Sequence, residues 1–262
     1  MTLQHDKLAA EMRASEDAAK TTLDFDMPYI IRVDGNAFKH FTKGLKVPFD
    51  AVFRKAMADT MLDLCASVPG TLLGYTFSDE ISLLVCPDMQ TESRWFANNV
   101  QKIASISASL ATSCFNRRFA KGVERLRISL LEDMETPPAE RFKEYPSSYL
   151  AVLDSRCGAA IFDSRAFSLP YAQLMDYLLF RQSDCIRNSV PAVARVWLDI
   201  PKSDWTGKSV WDMRQMLRAA GHPWEEYPDS LKYGLFAAKF EHQFERELNG
   251  ETITFTRGKW EL

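Results

Sequence analysis

Glycine-rich phosphate loops, paired cysteines and clustered histidines are all missing from this sequence. No GxGxxG, GxxxxGK or GxSxG run occurs, which removes the Rossmann, P-loop and nucleophile-elbow readings. The five cysteines, Cys65, Cys86, Cys114, Cys157 and Cys185, form no CxxC pair and sit mostly in apolar segments. A zinc knuckle and a disulfide framework are therefore both disfavoured, and a reducing, cytoplasmic setting is expected. His5, His40, His222 and His242 lack ligand spacing, so zinc is not expected either. No apolar run approaches the roughly 18 residues of a membrane span, and the N-terminal stretch is charged from Asp6 onward, so neither an anchor nor an export signal is expected. An excess of positive charge is also absent. Lys plus Arg total 32 against 35 Asp plus Glu, for a net charge of -3, so any nucleic-acid contact must use local patches.

What remains is ordinary globular composition, 46% hydrophobic and 26% charged over 262 residues, enough for one large domain or two small ones. Residues 3–20 are weakly amphipathic and predict a helix packed along an edge. Tyr29 to Val33 is a β-branched run closed by Asp34-Gly35, a buried strand ending in a turn. Pro48-Phe49-Asp50 opens a helix in which Phe49, Phe53, Met57, Met61 and Leu64 recur at helical spacing. Thr71–Phe77 and Ile81–Cys86 flank Ser78-Asp79-Glu80, a hairpin with acids at its tip. A long helix is expected over residues 92–115, an irregular excursion over 116–150, a strand over 159–162 and a helix over 174–193 that Pro191 kinks or ends. Beyond Pro201 come Trp205, Trp211, Trp224 and a strand at 252–256. One unit is thus expected over residues 1–195, with 196–262 an extension packed on it.

Asp34 and Asp79-Glu80 converge on one sheet edge if their strands are neighbours. Such carboxylates on rigid elements suit two Mg²⁺ ions, whose remaining ligands would be phosphate oxygens and water. Read singly, each pair is equally a set of turn residues. Lys102 lies on a helix whose other polar residues are small, either a triphosphate cation or a solvated lysine. The run from Asn116 to Arg127 carries five basic residues and one acid, so Arg117, Arg118 and Lys121 are RNA-contact candidates, or simply an exposed face.

Taken in order, Arg32-Val-Asp-Gly-Asn-Ala-Phe-Lys-His-Phe-Thr42, Pro48-Phe-Asp50, Tyr75-Thr-Phe-Ser-Asp-Glu80, Lys102 before a Ser/Ala-rich helix, Phe162-Asp-Ser-Arg165 and Asp176 to Asp184 resemble the tRNA-histidine guanylyltransferase family. The resemblance covers roughly residues 5–195. It implies an α/β palm-type fold, an antiparallel sheet covered by helices as in polymerases and cyclases, and 3′-to-5′ nucleotide addition to the 5′ end of tRNA by two-metal phosphoryl transfer. It also implies GTP, ATP or other nucleoside triphosphates as substrates and a homotetramer built as a dimer of dimers. By resemblance, Asp34, the Gly35 carbonyl and Asp79 hold the Mg²⁺ ions and Glu80 supports them. Asn36, Ala37, Phe38 and Ser78 cradle a triphosphate, and Asp50 lies near the base.

Departures from the family pattern are equally specific. Lys39 stands where members usually carry His, Val47 where a Lys precedes the proline, and Asn98-Asn99 where an Arg pair is usual. Lys39, Lys46 or Arg94 could restore the positive charge. The histidine-specific enzymes carry a His-Ile-Asn-Asn-Leu-Tyr-Asn-Thr element where this chain has Ile186 to Val193, and only Asn188 survives. That resembles the like-protein branch, which repairs 5′-truncated tRNA by copying a template strand, with Arg181, Arg187 and Asn188 as further RNA candidates. A histidine-specific guanylyltransferase, a nucleotide cyclase and a non-catalytic tRNA binder are the alternatives.

Overall fold

A computed structural model describes residues 2–86, 94–133, 137, 140, 143–198, 200–248 and 251–262. Six antiparallel strands form one open sheet in the order β4-β1-β3-β2-β5-β6: β1 Tyr29–Gly35, β2 Thr71–Phe77, β3 Glu80–Val85, β4 Phe162–Ser168, β5 Leu235–Leu248 and β6 Glu251–Glu261. The helices are α1 Thr2–Ala18, α2 Phe38–Phe41, α3 Ala51–Ser67, α4 Val100–Glu132, α5 Ser147–Arg156, α6 Leu174–Trp197, α7 Val210–Ala219 and α8 Asp229–Lys232.

Strand alternation decides which side each residue serves. Tyr29, Ile31 and Val33 of β1 join Ile81, Leu83 and Val85 of β3 in the main core, against Met57, Met61 and Leu64 of α3 and Ile103 and Phe115 of α4. An aromatic cluster of Phe38, Phe41, Phe53, Phe115, Phe119 and Phe162 closes this layer near the end of β1, with centroids 4.8 to 6.4 Å apart. The alternate residues Arg32 and Asp34 face the other side, where α6 crosses the sheet. Its Tyr177 hydroxyl lies 3.0 Å from the Ser82 hydroxyl, and Arg181 reaches Glu80.

Several elements differ from the sequence reading. The first long helix does not include residues 94–99: Trp95–Asn98 is a 3₁₀ turn with left-handed Phe96, Ala97 and Asn98, and α4 begins at Val100 behind the Asn99 cap. It then runs 33 residues, straight through the basic run and into the expected excursion. Ile103, Ala111, Phe115, Phe119, Val123 and Leu130 are buried along it, an apolar stripe that the intervening charges obscured. The fourth strand starts at Phe162, not Ala159. Helix α6 passes Pro191 and ends at Trp197, because Val190, Val193 and Ala194 are buried against Met213 and Leu217 of α7 and against Trp224. That packing outweighs the backbone hydrogen bond a proline removes. Between residues 5 and 18, α1 is exposed apart from half-buried Ala9 rather than packed along an edge. The sheet also continues across residue 195, since β5 pairs with β2 from Leu73↔Ala238 to Thr76↔Leu235.

Candidate active site

The ladder register brings the acids together. Asp34 is opposite Glu80 on one side and Asp163 on the other, and the Gly35 amide donates to the Asp79 carbonyl at 3.1 Å, so the hairpin tip is tied to the end of β1. Gly35 is required sterically: a Cβ there would lie 2.4 Å from the Phe38 ring. Ser78 sits in the left-handed region (φ 49), and its hydroxyl donates to Asp79 Oδ1 at 2.8 Å. Non-glycine residues take that conformation at a cost, and do so mainly where a site over-determines them.

Asp79 and Glu80 are adjacent in sequence but differently partnered. Burial pushes the Asp79 carboxyl above its ordinary range, the Ser78 hydroxyl and its own backbone pull it back, and the charge of Asp34 pushes it up again. Glu80, 7% exposed, is also raised by burial, with Arg181 and Arg32 opposing. Arg181 Nη2 lies 2.5 Å from Glu80 Oε2 and Arg32 Nε 3.9 Å. Asp34 and Asp79 are thus two carboxylates close enough to repel, whereas Glu80 is neutralised from α6 and β1.

Two hollows flank this edge. One, of about 270 Å³, opens beside Ser78 and is walled by Lys46, Phe49 and Asp50 before α3, Arg54 on α3, Asn188 and Ser189 on α6, and Ser230 and Leu231 on α8. The other, about 280 Å³, is lined by Asn36, Ala37, Phe38, His40 and Arg156. Ala37 is left-handed (φ 56), and the N–H groups of Ala37, Phe38 and Lys39 donate to no protein acceptor among the described residues.

The remaining candidates divide clearly. Asn36, Ala37 and Lys39 are exposed, while the Phe38 side chain is core, so that residue offers only its backbone. Asp50 lines the first hollow, but its oxygens cap α3 through the Phe53 amide at 2.9 Å and accept from the Lys46 amide at 3.0 Å and the Tyr149 hydroxyl at 2.6 Å. The Lys46 ammonium pairs with Glu144 and lies 3.3 Å from the Tyr145 ring centroid. Lys102 is not brought to the acids. Helix α4 lies along β4 with Asn116 at Ala160, Thr112 at Phe162 and Ser107 at Ser164, so Lys102, more than a turn further on, is exposed at the opposite end. Arg94, bound to the Phe25 carbonyl, is at that end too, and so is Asn98, whose carboxamide donates to the Asp24 carbonyl.

Of the RNA candidates, Arg181 is buried and therefore unavailable to a surface ligand. Arg117 and Arg118 bind Asp63, fastening α4 to α3. Arg187 pairs with Asp184 in the open, Lys121 is exposed, and Asn188 belongs to the first hollow. Arg32, Arg54, Asp163 and Ser230 were not singled out from sequence. Asp163 stood in the quoted Phe162-Asp-Ser-Arg165 motif, but only the register makes it a neighbour of Asp34.

An open antiparallel palm sheet, helices packed over it and facing carboxylates at the end of its first strand are the architecture of palm-fold enzymes, polymerases and cyclases alike. Within it, the family described as Thg1, tRNAHis guanylyltransferase, matches residues 9–170, and the chain belongs to that family. It is similar to a bacterial tRNA(His) guanylyltransferase-like protein solved with ATP (29% identity, TM-score 0.71) and with GTP (30%, 0.68), each match covering 97% of this chain and 90% of that one. The Saccharomyces cerevisiae tRNA(His) guanylyltransferase shares the fold at 18% identity and TM-score 0.63, over 90% of this chain and 92% of that one. An uncharacterised protein of Acanthamoeba polyphaga mimivirus is 28% identical over 223 residues, 80% of this chain and 70% of that one.

Proposed function

We propose that this enzyme adds nucleotides in the 3′-to-5′ direction to the 5′ end of tRNA, copying the opposite strand. The observation that carries the reading is the Asp34/Asp79 pair at the end of β1, whose sequence neighbours Asn36 and Ser78 each line a separate hollow, an arrangement that suits a reaction joining two polyanions, a nucleoside triphosphate and the RNA 5′ end. Their donor set is hard oxygen, two carboxylates and the Gly35 carbonyl, and their mutual repulsion is what a divalent cation relieves. Among the described residues no group of three His, Cys, Asp or Glu stands ready for a metal, so phosphate oxygens and water would complete each shell. Bound there, Mg²⁺ neutralises developing charge on the transferred phosphate.

The chain's own groups do the positioning. The free N–H groups at Ala37 to Lys39 offer donors to phosphate oxygens, and Ser78 orients Asp79. Glu80 is held by Arg181 and holds the hairpin tip to α6. GTP and ATP, the ligands of the bacterial relatives, are the substrates this reading assigns, and a homotetramer is the assembly it carries. Template copying is supported by Ile186 to Val193, which keeps only Asn188 of the polar element of histidine-specific enzymes, so selection falls to base pairing.

The test is extension of tRNAs differing in 5′ length and in the template base, with Mg²⁺ and each labelled triphosphate. Addition that follows the template base and stops at a full stem is the expected result. Guanosine added regardless of the opposing base, and only to a histidine-anticodon tRNA, would replace this reading with the histidine-specific one. A small cyclic product, or no product at all, would remove it.

A further inference from the structure

Arg54 is the group the catalytic reading leaves unused. It is half-buried on the first turn of α3, lines the hollow beside Ser78, and donates from Nη2 to the Ser230 hydroxyl at 3.1 Å. No carboxylate pairs with it among the described residues, in contrast to Lys46, which is paired with Glu144 in the same wall. Burial lowers its pKa below the ordinary guanidinium value, as expected of a cation held out of water without a counter-ion. An arginine has donors only, so whatever satisfies it carries acceptors.

We propose that Arg54 is a specificity-determining residue that reads the O6/N7 edge of a guanine base in this hollow, a proposal that rests on the nucleotide-addition reading above. Guanine presents two adjacent acceptors that match the guanidinium fork, whereas adenine places an amino donor beside N7. Anchoring by Ser230, which comes from the C-terminal part of the chain, fixes the fork in the cavity wall. Reading that edge leaves the Watson–Crick face free for the template, so Arg54 adds a bias toward guanosine on top of pairing instead of replacing it.

The test is equilibrium binding of GTP, 7-deaza-GTP and ATP, without RNA, to the wild type, Arg54→Ala, Arg54→Lys and Ser230→Ala, with a thermal melt of each. We expect the wild type to bind GTP about 5- to 100-fold more tightly than ATP, and 7-deaza-GTP more weakly than GTP. Both differences should vanish in Arg54→Ala, and should shrink in Arg54→Lys, whose ammonium still donates to O6 or N7 without the planar fork, and in Ser230→Ala. If 7-deaza-GTP binds the wild type as well as GTP does, or if its penalty persists undiminished in folded Arg54→Ala, the assignment is wrong while nucleotide addition stands. If the wild type binds no triphosphate, the catalytic reading falls with it.

Discussion

The two ends of β1 carry the same backbone device for different purposes. At the Asp34 end, Ala37 and Ser78 are left-handed without being glycine; at the Tyr29 end, so are Phe96, Ala97 and Asn98. At the Tyr29 end the backbone is tied down by hydrogen bonds, Leu23 N–H to the Asn98 carbonyl at 2.9 Å, Asn98 Nδ2 to the Asp24 carbonyl at 3.1 Å and Val100 N–H to the Thr21 carbonyl at 2.9 Å, and Asn98 Oδ1 is left buried without a partner among the described residues. At the Asp34 end the same geometry leaves amide donors and two repelling carboxylates facing outward. Strained backbone alone therefore does not mark a site; what sets the Asp34 end apart is its exposed amide donors beside two like-charged acids. The asparagines at 98 and 99 are then structural choices, one suited to positive φ and one to a helix N-cap.

The sharpest test of this contrast is removal of Asp34. Asp34→Ala should lower nucleotide addition at least ~1000-fold, roughly 4 kcal/mol of barrier, with an unchanged melting temperature, measured by single-turnover extension beside a thermal melt. Activity within about tenfold of wild type would mean that the acids at this end are turn residues after all.

A loss nearly as large, but of stability instead of chemistry, is expected for Arg181→Ala. It would leave Glu80 buried with only the more distant Arg32 Nε, at 3.9 Å, to offset its charge, and breaking a buried pair typically costs about 3 kcal/mol. Adding Glu80→Gln should recover much of the loss in a denaturant titration. Failure of that rescue would mean Arg181 acts through packing on Phe77 and Phe180 and not through its charge.

Asp79→Asn should do the reverse, abolishing addition while stabilising the metal-free protein by on the order of 1 kcal/mol, about 2–4 °C in melting temperature. The sign follows from its raised pKa. Below the ordinary value of 3.8 the acid is protonated in both folded and unfolded chains and contributes nothing. As pH rises from there through the raised folded-state pKa, ionisation favours the unfolded chain, and stability falls. The wild type should therefore lose stability relative to Asp79→Asn across that window, and Mg²⁺ should restore it to the wild type alone. Equal melting temperatures at every pH would show that Asp79 carries no such burden.

How much of this was legible beforehand depended on whether a residue's partner is near in sequence. Asp34-Gly35 and Ser78-Asp79-Glu80 were readable because turn chemistry and strand patterns are local, and the register then brought them together. The Asp50 cap and the hairpin were legible for the same reason. Arg181 was misread as a surface residue because its partner Glu80 is 101 positions away, and nothing in the local pattern says which face α6 turns to the sheet. Of the basic run, Arg117 and Arg118 pair with Asp63 of another helix, a partner that no local pattern announces. Arg54 carried a weak signal, a cation flanking the apolar stripe of α3, but Ser230 carried none, since only the folded chain brings the C-terminal region to that cavity.

The smallest expected effect belongs to Lys102, and it tests the contrast from the other side. The hydrogen bonds that lay α4 along β4 put Lys102 beyond Ser107, near the Tyr29 end, and Tyr29 and Asp34 are five residues apart on an extended strand, roughly 16 Å. Between exposed charges that far apart, physiological salt with a screening length of about 8 Å leaves little interaction. Its amide is bound by Asn99 at 2.9 Å, but that bond belongs to the backbone and survives substitution. Lys102→Ala should therefore leave the triphosphate KM and the addition rate within about twofold of wild type at saturating tRNA, since an ammonium this distant cannot stabilise phosphate charge at Asp34. A tenfold rise in triphosphate KM, measured in dilute protein and again in concentrated protein, would show that Lys102 reaches phosphate after all. If the rise depended on concentration, the phosphate it reaches would be bound to a second copy of the chain.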